Sequence, residues 1–335
     1  MDTEGQLIRR IANRVPSRPK RLLPRGLKIG IGDDAAVVSA RRGMELVATC
    51  DSFLEGVHFL GDIHPPDSVG FKSLARATSD IAAMGGRPRW FLLALALPPK
   101  RTGSWLTHFS AGMGRAARSL GLTLIGGDTT KSSSISITVT VLGEIHPGRA
   151  VARSSARPGD LIYVSGKLGE AQLGLEWVRR GLPISRRFQS LLQPHLYPRI
   201  PVALGGWLAG RRIPSAMMDI SDGLSTDLAR LCALSGVGAT IEAARIPRAA
   251  LPQPLPPPLR RARLDPLAMA LHGGDDYALL FTVPRRKVPA ISRFAGFRSL
   301  ACIGRITRER KIVLVDAAGN RTPLASRGWD PFGSR

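Results

Sequence analysis

Acidic residues are scarce in this sequence, and their positions suggest chemistry. The 335 residues include 25 Asp and Glu against 48 Lys and Arg. A carboxylate at the end of an apolar strand is unfavourable unless it is solvated, paired or bound to a cation. Carboxylates that converge from separate elements form the oxygen ligand set of Mg²⁺, which proteins commonly share with substrate phosphates. Nine of the 25 stand in short blocks, beside glycines or at the ends of predicted elements: Asp33, Asp34, Asp51, Asp80, Asp128, Asp219, Asp222, Asp275 and Asp276.

Each of these aspartates, taken alone, also fits a structural role. Asp222 precedes a predicted helix and is typical of an N-cap residue. Asp33 and Asp34 follow Gly32, as in many turns. The metal-site interpretation therefore depends on the whole set, and the structural alternative stays open for each position.

Three glycine-containing segments predict close approach of the backbone to an anion. They are Gly126-Gly127-Asp128-Thr129-Thr130, Ser221-Asp222-Gly223 and Gly273-Gly274-Asp275-Asp276. The phosphate loop GxxxxGK[ST] is absent from the sequence, as is GxGxxG after a predicted strand. HExxH and GxSxG are absent too, which removes support for zinc-protease and α/β-hydrolase chemistry.

The net charge of +23 would attract nucleotides, phosphorylated metabolites or nucleic acid. The arginines are scattered, which favours a general arginine bias at the surface over one binding patch. A basic nucleic-acid-binding protein is the alternative from another class, and it predicts aromatic side chains interleaved with basic ones. Aromatic residues make up only 5% and do not cluster with arginine, so we expect no nucleic-acid partner.

Cysteine usage and hydropathy predict a cytoplasmic protein. Cys50, Cys232 and Cys302 are far apart and form no zinc or CxxC spacing, which favours a reducing compartment. The first 19 residues lack the apolar core of a signal peptide. The longest apolar stretch, residues 90–97, is too short to span a membrane.

Hydrophobic periodicity predicts two domains of mixed α/β and α+β type. A chain of this length exceeds the ~250–300 residues at which single cores stop growing. The composition shifts over residues 146–160, so we predict domains at 1–148 and 149–335. Predicted helices cover residues 4–15, 68–84, 105–120, 169–180 and 222–235. Predicted strands cover residues 46–50, 90–97, 122–125, 135–142, 161–165, 277–283 and 301–306, and another ends at residues 217–219.

An ordered set of motifs resembles the thiamine-monophosphate kinase family from about residue 7 to residue 332. Single motifs of this kind are weak signals, but their order along the chain is specific. The N-terminal motifs are Gly30-Ile31-Gly32-Asp33-Asp34-Ala35-Ala36, Asp51 with Glu55-Gly56-Val57-His58-Phe59, and Lys72 with Ser79-Asp80. The later ones are Gly126-Gly127-Asp128-Thr129-Thr130, Arg153 with Arg157-Pro158-Gly159-Asp160, Asp219-Ile220-Ser221-Asp222-Gly223-Leu224, Gly273-Gly274-Asp275-Asp276-Tyr277 and Gly328-Trp329.

The resemblance implies a two-domain fold like that of aminoimidazole ribonucleotide synthetase. In this fold an N-terminal α/β domain binds ATP and Mg²⁺ and forms a homodimer through its sheet. A C-terminal α+β domain completes the active site. The implied reaction is ATP-dependent phosphorylation of thiamine monophosphate to thiamine diphosphate, assisted by several Mg²⁺ ions. Another enzyme of the superfamily, acting on a different acceptor, is the alternative within this class.

The resemblance also implies roles for individual residues. The implied metal ligands are Asp34, Thr49, Cys50, Asp51, Asp80, Asp128, Asp219 and Asp222. The implied nucleotide contacts are Gly127, Asp128, Arg153 and Ser221, and the implied thiamine-phosphate contacts are His58, Asp275 and Trp329. The implied catalytic group comprises Asp51, Asp128, Asp222 and Arg153.

The chain departs from the family pattern at three places. Cys50 stands where the family usually has a hydroxyl or another small ligand residue, although its backbone carbonyl remains available to a metal. Asp275 stands where Glu is usual, which shortens the reach of the carboxylate by one methylene. Tyr197 and Pro201 replace usual arginines, so this segment is not predicted to bind phosphate.

Overall fold

The computed structural model describes residues 4–15, 26–29, 31, 36–185, 188–294, 299–330 and 332. The chain divides into two compact units. The first comprises Met1–Ala82 and Gly86–Gly148, and the second comprises Ala83–Gly85 and Arg149–Arg335. Each unit contains both helices and strands, which confirms the mixed fold class.

The first unit is built on a four-stranded sheet in the order β3-β6-β4-β5. Strand β4 pairs with β6 antiparallel and with β5 parallel. A short two-stranded sheet, β1-β2, accompanies it. The strands are β1 (Leu27–Ile29), β2 (Val37–Val38), β3 (Glu45–Leu54), β4 (Arg87–Leu97), β5 (Thr123–Lys131) and β6 (Ser136–Ile145). The helices are α1 (Glu4–Ala12), α2 (Pro66–Ala83) and α3 (Ser104–Leu120), with a 3₁₀ turn at Pro99–Arg101.

The two faces of the four-stranded sheet differ. On the inner face, alternate residues of β6 such as Ile137 and Val139 pack with α2 and α3 in one apolar core. On the outer face, β1 and β2 pack over Trp90 in a small separate cluster. The rest of the outer face is exposed along β3, including Leu46 and Cys50. The alternation predicted for residues 135–142 is therefore confirmed, because the apolar set is buried and the alternate set is not.

Strands β3 and β5 are longer than predicted, which changes the place of two aspartates. Strand β3 continues through Asp51 to Leu54, since ladder pairing with β6 runs along all of it. Strand β5 continues through the Gly126–Thr130 motif, which we had expected to leave the strand, because it pairs with β4 as far as Lys131. Asp51 and Asp128 therefore lie within strands and not at their ends.

The second unit contains a seven-stranded sheet in the order β13-β12-β9-β11-β7-β10-β8. Its strands are β7 (Leu161–Ser165), β8 (Ala216–Ile220), β9 (Gly238–Glu242), β10 (Ala278–Val283), β11 (Leu300–Thr307), β12 (Ile312–Val315) and β13 (Arg321–Pro323). Its helices are α4 (Glu170–Arg179), α5 (Gln189–Leu196), α6 (Val202–Gly210), α7 (Leu224–Ser235), α8 (Pro257–Arg261), α9 (Pro266–His272) and α10 (Val288–Ile291). Strand β10 and the edge strand β8 beside it are buried along their whole length.

Candidate functional site

In the first unit, β3 and α2 bring Thr49, Asp51 and Asp80 together. Thr49 and Asp51 are two residues apart on β3 and share the inner face, on which α2 packs. The Thr49 hydroxyl donates a hydrogen bond to Asp80 Oδ2 at 2.6 Å. These side chains supply two carboxylates and a hydroxyl, which are hard oxygen donors.

Arg76 is the counter-charge of this cluster, and the sequence reasoning missed it. It lies on α2 one turn before Asp80, and its Nε is 3.3 Å from Asp51 Oδ2. Its guanidinium also lies 5.5 Å from the centre of the Phe53 ring. The spacing of four residues between Arg76 and Asp80 on a predicted helix was the available signal.

The pKa of the Asp51 carboxyl is raised above its ordinary value, chiefly by burial. The charge of Asp80 raises it further, whereas Arg76 and then His58 lower it. Two carboxylates close together are difficult to ionise at once, and an added cation favours the ionised pair. The cluster therefore has the electrostatic character of a cation site.

His58 lies in the loop that follows β3. Its Nδ1 accepts a hydrogen bond from the Leu54 N–H at 3.0 Å, and its ring packs 5.6 Å from that of Phe53. The loop is fixed by Glu55, whose side chain accepts a hydrogen bond from the Ile135 N–H at 2.9 Å.

The other predicted residues of the first unit lie apart from this cluster. Cys50 is on the outer face, where its Sγ accepts a hydrogen bond from the Thr140 hydroxyl at 3.4 Å. Asp128 is exposed on β5, in register with Ala94, which is exposed as well. Gly127 has φ of +153°, and a Cβ there would lie 1.9 Å from the Leu93 carbonyl oxygen, so only glycine fits against β4. Asp34 lies outside the described residues.

In the second unit, Asp222 lies in the loop between β8 and α7. The alternative that Asp222 is an N-cap residue is wrong, because α7 begins at Leu224 and its N-cap residue is Gly223. The Asp222 N–H instead donates to Asp227 Oδ2 at 3.0 Å. Arg230 pairs with the carboxylates of both Asp222 and Asp227.

Asp227 is fully buried, and the sequence reasoning missed it together with Arg230. Burial raises the pKa of the Asp227 carboxyl to about 6, and the neighbouring Asp222 charge contributes. Hydrogen bonds from the Asp222 N–H and the Arg230 guanidinium oppose the shift. Asp227 therefore holds the backbone of the Asp222 loop from within the helix. Asp219, near the end of β8, is buried as well.

The loop of Asp275 packs against the loop of Asp222. The Asp275 N–H donates to the Ser221 carbonyl oxygen, and the Tyr277 N–H donates to that of Ile220, both at 2.8 Å. Asp275 and Tyr277 have φ of +67° and +48°, values that side-chain-bearing residues adopt only at a cost of about 1–3 kcal/mol each. The Tyr277 hydroxyl donates to Asp275 Oδ1 at 2.7 Å, so it fixes the carboxylate predicted to contact substrate.

Asp276 attaches the same loop to the start of helix α4. Its carboxylate accepts hydrogen bonds from the Gly169 N–H at 2.7 Å and the Ala171 N–H at 3.3 Å, at the start of α4. Burial raises the pKa of this carboxyl to about 7. These two amides lower the pKa, whereas the charges of Asp275 and Glu170 raise it. The loop is thus attached to α4 on one side and to β8 on the other.

Trp329 reaches the Asp222 loop from the C-terminal tail. The backbone N–H of Trp329 donates a hydrogen bond to the Asp222 carbonyl oxygen at 2.9 Å. The second unit therefore brings together Ser221, Asp222, Asp275 and Trp329 of the predicted site. The Arg153 carbonyl oxygen accepts a hydrogen bond from the Ser235 hydroxyl at the C-terminal end of α7, and the neighbouring Ala152 carbonyl oxygen accepts one from the Met217 N–H of β8 at 3.2 Å.

Within the described ranges, no three His, Cys, Asp or Glu side chains converge on a point where a metal ion could bind. The described helices include none that combines the length and the apolar character needed to cross a membrane.

Comparison with known proteins gives a consistent family. Residues 32–145 match the model of the AIR synthase related protein N-terminal domain, and residues 157–317 match that of the C-terminal domain. The thiamine-monophosphate kinase of Escherichia coli K12 is 35% identical over 98% of both chains.

Solved structures agree with this result. The thiamine-monophosphate kinase of Stenotrophomonas maltophilia K279a has a TM-score of 0.78 and 35% identity, and the alignment covers 94% of this chain and 96% of that one. AaThiL complexed with AMPPCP and TMP has a TM-score of 0.75 and 34% identity, over 90% of this chain and 92% of that one. With its two AIR synthase related domains and this near-complete likeness, the chain belongs to the thiamine-monophosphate kinase family.

Proposed function

We propose that this chain phosphorylates thiamine monophosphate with ATP, which gives thiamine diphosphate and ADP. The observation that carries the proposal is the 34% identity, over 90% of the chain, to AaThiL, which was solved with AMPPCP and TMP. AMPPCP is an analogue of ATP, and TMP in such a kinase denotes thiamine monophosphate. The loops of Asp222 and Asp275 and the residue Trp329 support an acceptor site in the second unit.

The proposed step transfers one phosphoryl group between two phosphates. A phosphate oxygen of thiamine monophosphate attacks the γ-phosphorus of ATP, and the bond from that phosphorus to the β–γ bridging oxygen breaks, so that ADP leaves. A phosphate monoester has a second pKa of about 6, so the acceptor is mostly dianionic at neutral pH. The chain therefore needs no general base, and its task is to align and neutralise two polyanions.

The first unit fits Mg²⁺, by the chemistry of its donor set. Thr49, Asp51 and Asp80 present hard oxygens, and Asp80 raises the pKa of the Asp51 carboxyl. Mg²⁺ bound there would neutralise charge on the phosphates during transfer. The remaining predicted ligands, Asp34, Cys50, Asp128, Asp219 and Asp222, stay predictions from the family resemblance.

Residues of this chain have separate proposed roles in binding the acceptor. Trp329 offers an aromatic face to the cationic thiazolium or the pyrimidine. Asp275, with its carboxylate held by Tyr277, accepts a hydrogen bond from the substrate. His58 contacts thiamine monophosphate, and Gly127, Arg153 and Ser221 contact ATP, as the resemblance implies.

We also propose a homodimer that forms through the outer face of the four-stranded sheet. The exposed strip along β3 includes Leu46, whose exposure is 53%, and Ala48 and Cys50 beside it. Such an apolar strip is suited to a two-fold interface in which the same surface pairs with itself. We place the enzyme in the cytoplasm, where a reducing environment suits its free thiols and ATP is available.

An acceptor panel tests the proposed function. ADP release is measured with ATP, Mg²⁺ and either thiamine monophosphate or free thiamine. Thiamine monophosphate should stimulate ADP release and thiamine should not, because its hydroxyl needs a base that this mechanism does not provide. Trp329→Ala should raise the KM for thiamine monophosphate about ten-fold, with the KM for ATP unchanged. Rapid phosphorylation of thiamine would contradict the proposal.

A further inference from the structure

Trp329 lies in the C-terminal tail, beyond the last strand of the second unit. After β13 ends at Pro323, the described tail residues 324–330 form no regular secondary structure. Leu324 is held by a backbone hydrogen bond to Ile312 at 2.9 Å and packs against the core of the second unit. The position of Trp329 therefore depends on what fixes the five residues that follow Leu324.

Hydroxyl groups at the first turn of α7 make the next contacts. The Thr226 hydroxyl hydrogen-bonds with the Ser326 hydroxyl at 2.8 Å and accepts from the Gly328 N–H at 2.9 Å. The Ser225 hydroxyl accepts from the Arg327 N–H at 3.3 Å. Three consecutive tail residues are thus bound by two consecutive helix residues.

Thr226 is at the centre of this arrangement. The residue is only 8% exposed, so its hydroxyl has little access to water. Loss of the hydrogen-bond partners of a buried hydroxyl is unfavourable, so these hydrogen bonds stabilise the position of the tail. The backbone N–H of Trp329 donates to the carbonyl oxygen of Asp222. Asp222 immediately precedes Gly223, the N-cap residue of the same helix.

Gly328 lets the tail come this close. A Cβ at this position would lie 1.9 Å from the Asp222 carbonyl oxygen and 2.6 Å from the Thr226 hydroxyl. Both distances are shorter than van der Waals contact, and one of the opposing atoms is backbone. No side chain is tolerated at residue 328 while the tail keeps its place.

We propose that Thr226 and Gly328 are positioning residues for thiamine monophosphate. They hold the tail against the first turn of α7, and thereby fix Trp329 beside the loops of Asp222 and Asp275. Neither residue touches the substrate, and both act through Trp329. The inference rests on the proposed function, because it assumes that Trp329 contacts thiamine monophosphate.

The contact and its catalytic effect can be tested separately. Thr226→Val keeps the shape of the side chain and removes the hydroxyl, whereas Thr226→Ser keeps the hydroxyl. Amide hydrogen exchange of residues 326–329, followed without substrate, reports the contact itself. Loss of one or two hydrogen bonds should accelerate exchange about ten-fold in Thr226→Val. Thr226→Ser should exchange like the original protein.

Steady-state kinetics then report the consequence for the reaction. Thr226→Val should raise the KM for thiamine monophosphate about five- to ten-fold, with the KM for ATP unchanged and with rescue by Thr226→Ser. Gly328→Ala, which displaces the tail sterically, should raise the same KM at least as much. Gly210→Ala is the matched control, because a Cβ there meets nothing within 4 Å. Melting temperatures show that each variant is folded.

Each contrary result points to one of the two proposals. Unchanged amide exchange in both Thr226→Val and Gly328→Ala would overturn the positioning role, whatever the activity. Faster exchange with an unchanged KM for thiamine monophosphate would also overturn it. Absence of any turnover with thiamine monophosphate in the unmodified protein would instead overturn the proposed function.

Discussion

The Thr49 hydroxyl donates a 2.6 Å hydrogen bond to Asp80, and this contact joins strand β3 to helix α2. Asp51, two residues further along the strand, shares that face and pairs with Arg76 of the same helix. Strand and helix therefore present two carboxylates side by side, with one arginine to balance them.

Asp51→Asn should reduce kcat by at least 100-fold while the protein stays folded. The substitution keeps the shape of the side chain and removes a negative charge from a proposed Mg²⁺ site, where metal stabilisation of the transition state is worth several kcal/mol. The measurement is kcat at saturating ATP, Mg²⁺ and thiamine monophosphate. Asp62→Asn is the control, because the Asp62 side chain is 92% exposed and forms an ion pair with Arg101 at the surface. Normal turnover of Asp51→Asn would refute the metal assignment.

Arg76→Gln should increase the stabilisation that Mg²⁺ gives to the protein. The arginine competes with a metal ion for Asp51, and its loss leaves Asp51 and Asp80 without this counter-charge. A cation that binds only the folded state raises the melting temperature, and the rise grows with the logarithm of the cation concentration relative to its Kd. The measurement is the change in melting temperature between EDTA and millimolar MgCl₂. A smaller Mg²⁺-dependent change in the variant than in the original protein would contradict the cluster as a cation site.

The raised pKa of the Asp276 carboxyl predicts that the stability of the protein depends on pH. Its folded pKa of about 7 lies above the ordinary value of 3.8, so folding favours the protonated carboxyl. The stability from this group is fully present below pH ~4 and is lost as the pH rises through about 7. Asp276→Asn should therefore be more stable, relative to the original protein, at pH 8 than at pH 5. The difference in melting temperature is followed across that range, and a difference independent of pH would contradict the assignment.

The thiols of Cys232 and Cys50 should react with a labelling reagent at different rates, and the rate at Cys50 should depend on whether the dimer has formed. Cys232 is 3% exposed, and burial raises the pKa of its thiol to about 12, so it should resist labelling in the folded protein. Cys50 lies on the proposed interface and should react slowly at micromolar concentration and faster on dilution. Leu46→Arg, which places a charge on the same strip, should make Cys50 reactive at every concentration. Peptide-resolved mass spectrometry gives each rate, and concentration-independent labelling of Cys50 in the original protein would contradict the interface.

Hydrophobic periodicity predicted most of the architecture but not the ends of the elements. The end of α3 at Leu120 was predicted because glycine is a common residue just after a helix, and Gly121 adopts the left-handed conformation there, with φ of +70°. Strand β5 was predicted too short, since glycine and aspartate signal a turn locally while pairing with β4 favours an extended chain. Strands β12 and β13 were missed, because the apolar run of β12 is only four residues long and β13 is exposed and has no apolar pattern.

The site was predicted in part for a similar reason. Sequence motifs identified Asp51, Asp222 and Trp329, because these residues stand in ordered family patterns. Asp227 was missed, since its role depends on α7 beginning at Leu224, which leaves Asp222 in the loop that Asp227 holds. Contacts between a helix and a distant tail, as at Thr226, have no local sequence signal.

The most direct test of the proposed reaction follows the phosphoryl group itself. The protein is incubated with thiamine monophosphate, Mg²⁺ and ATP labelled at the γ-phosphate, and the products are separated by chromatography. The proposed function predicts labelled thiamine diphosphate and ADP in equal amounts, with the label on the terminal phosphate. Label released as inorganic phosphate, with no labelled thiamine diphosphate formed, would contradict it.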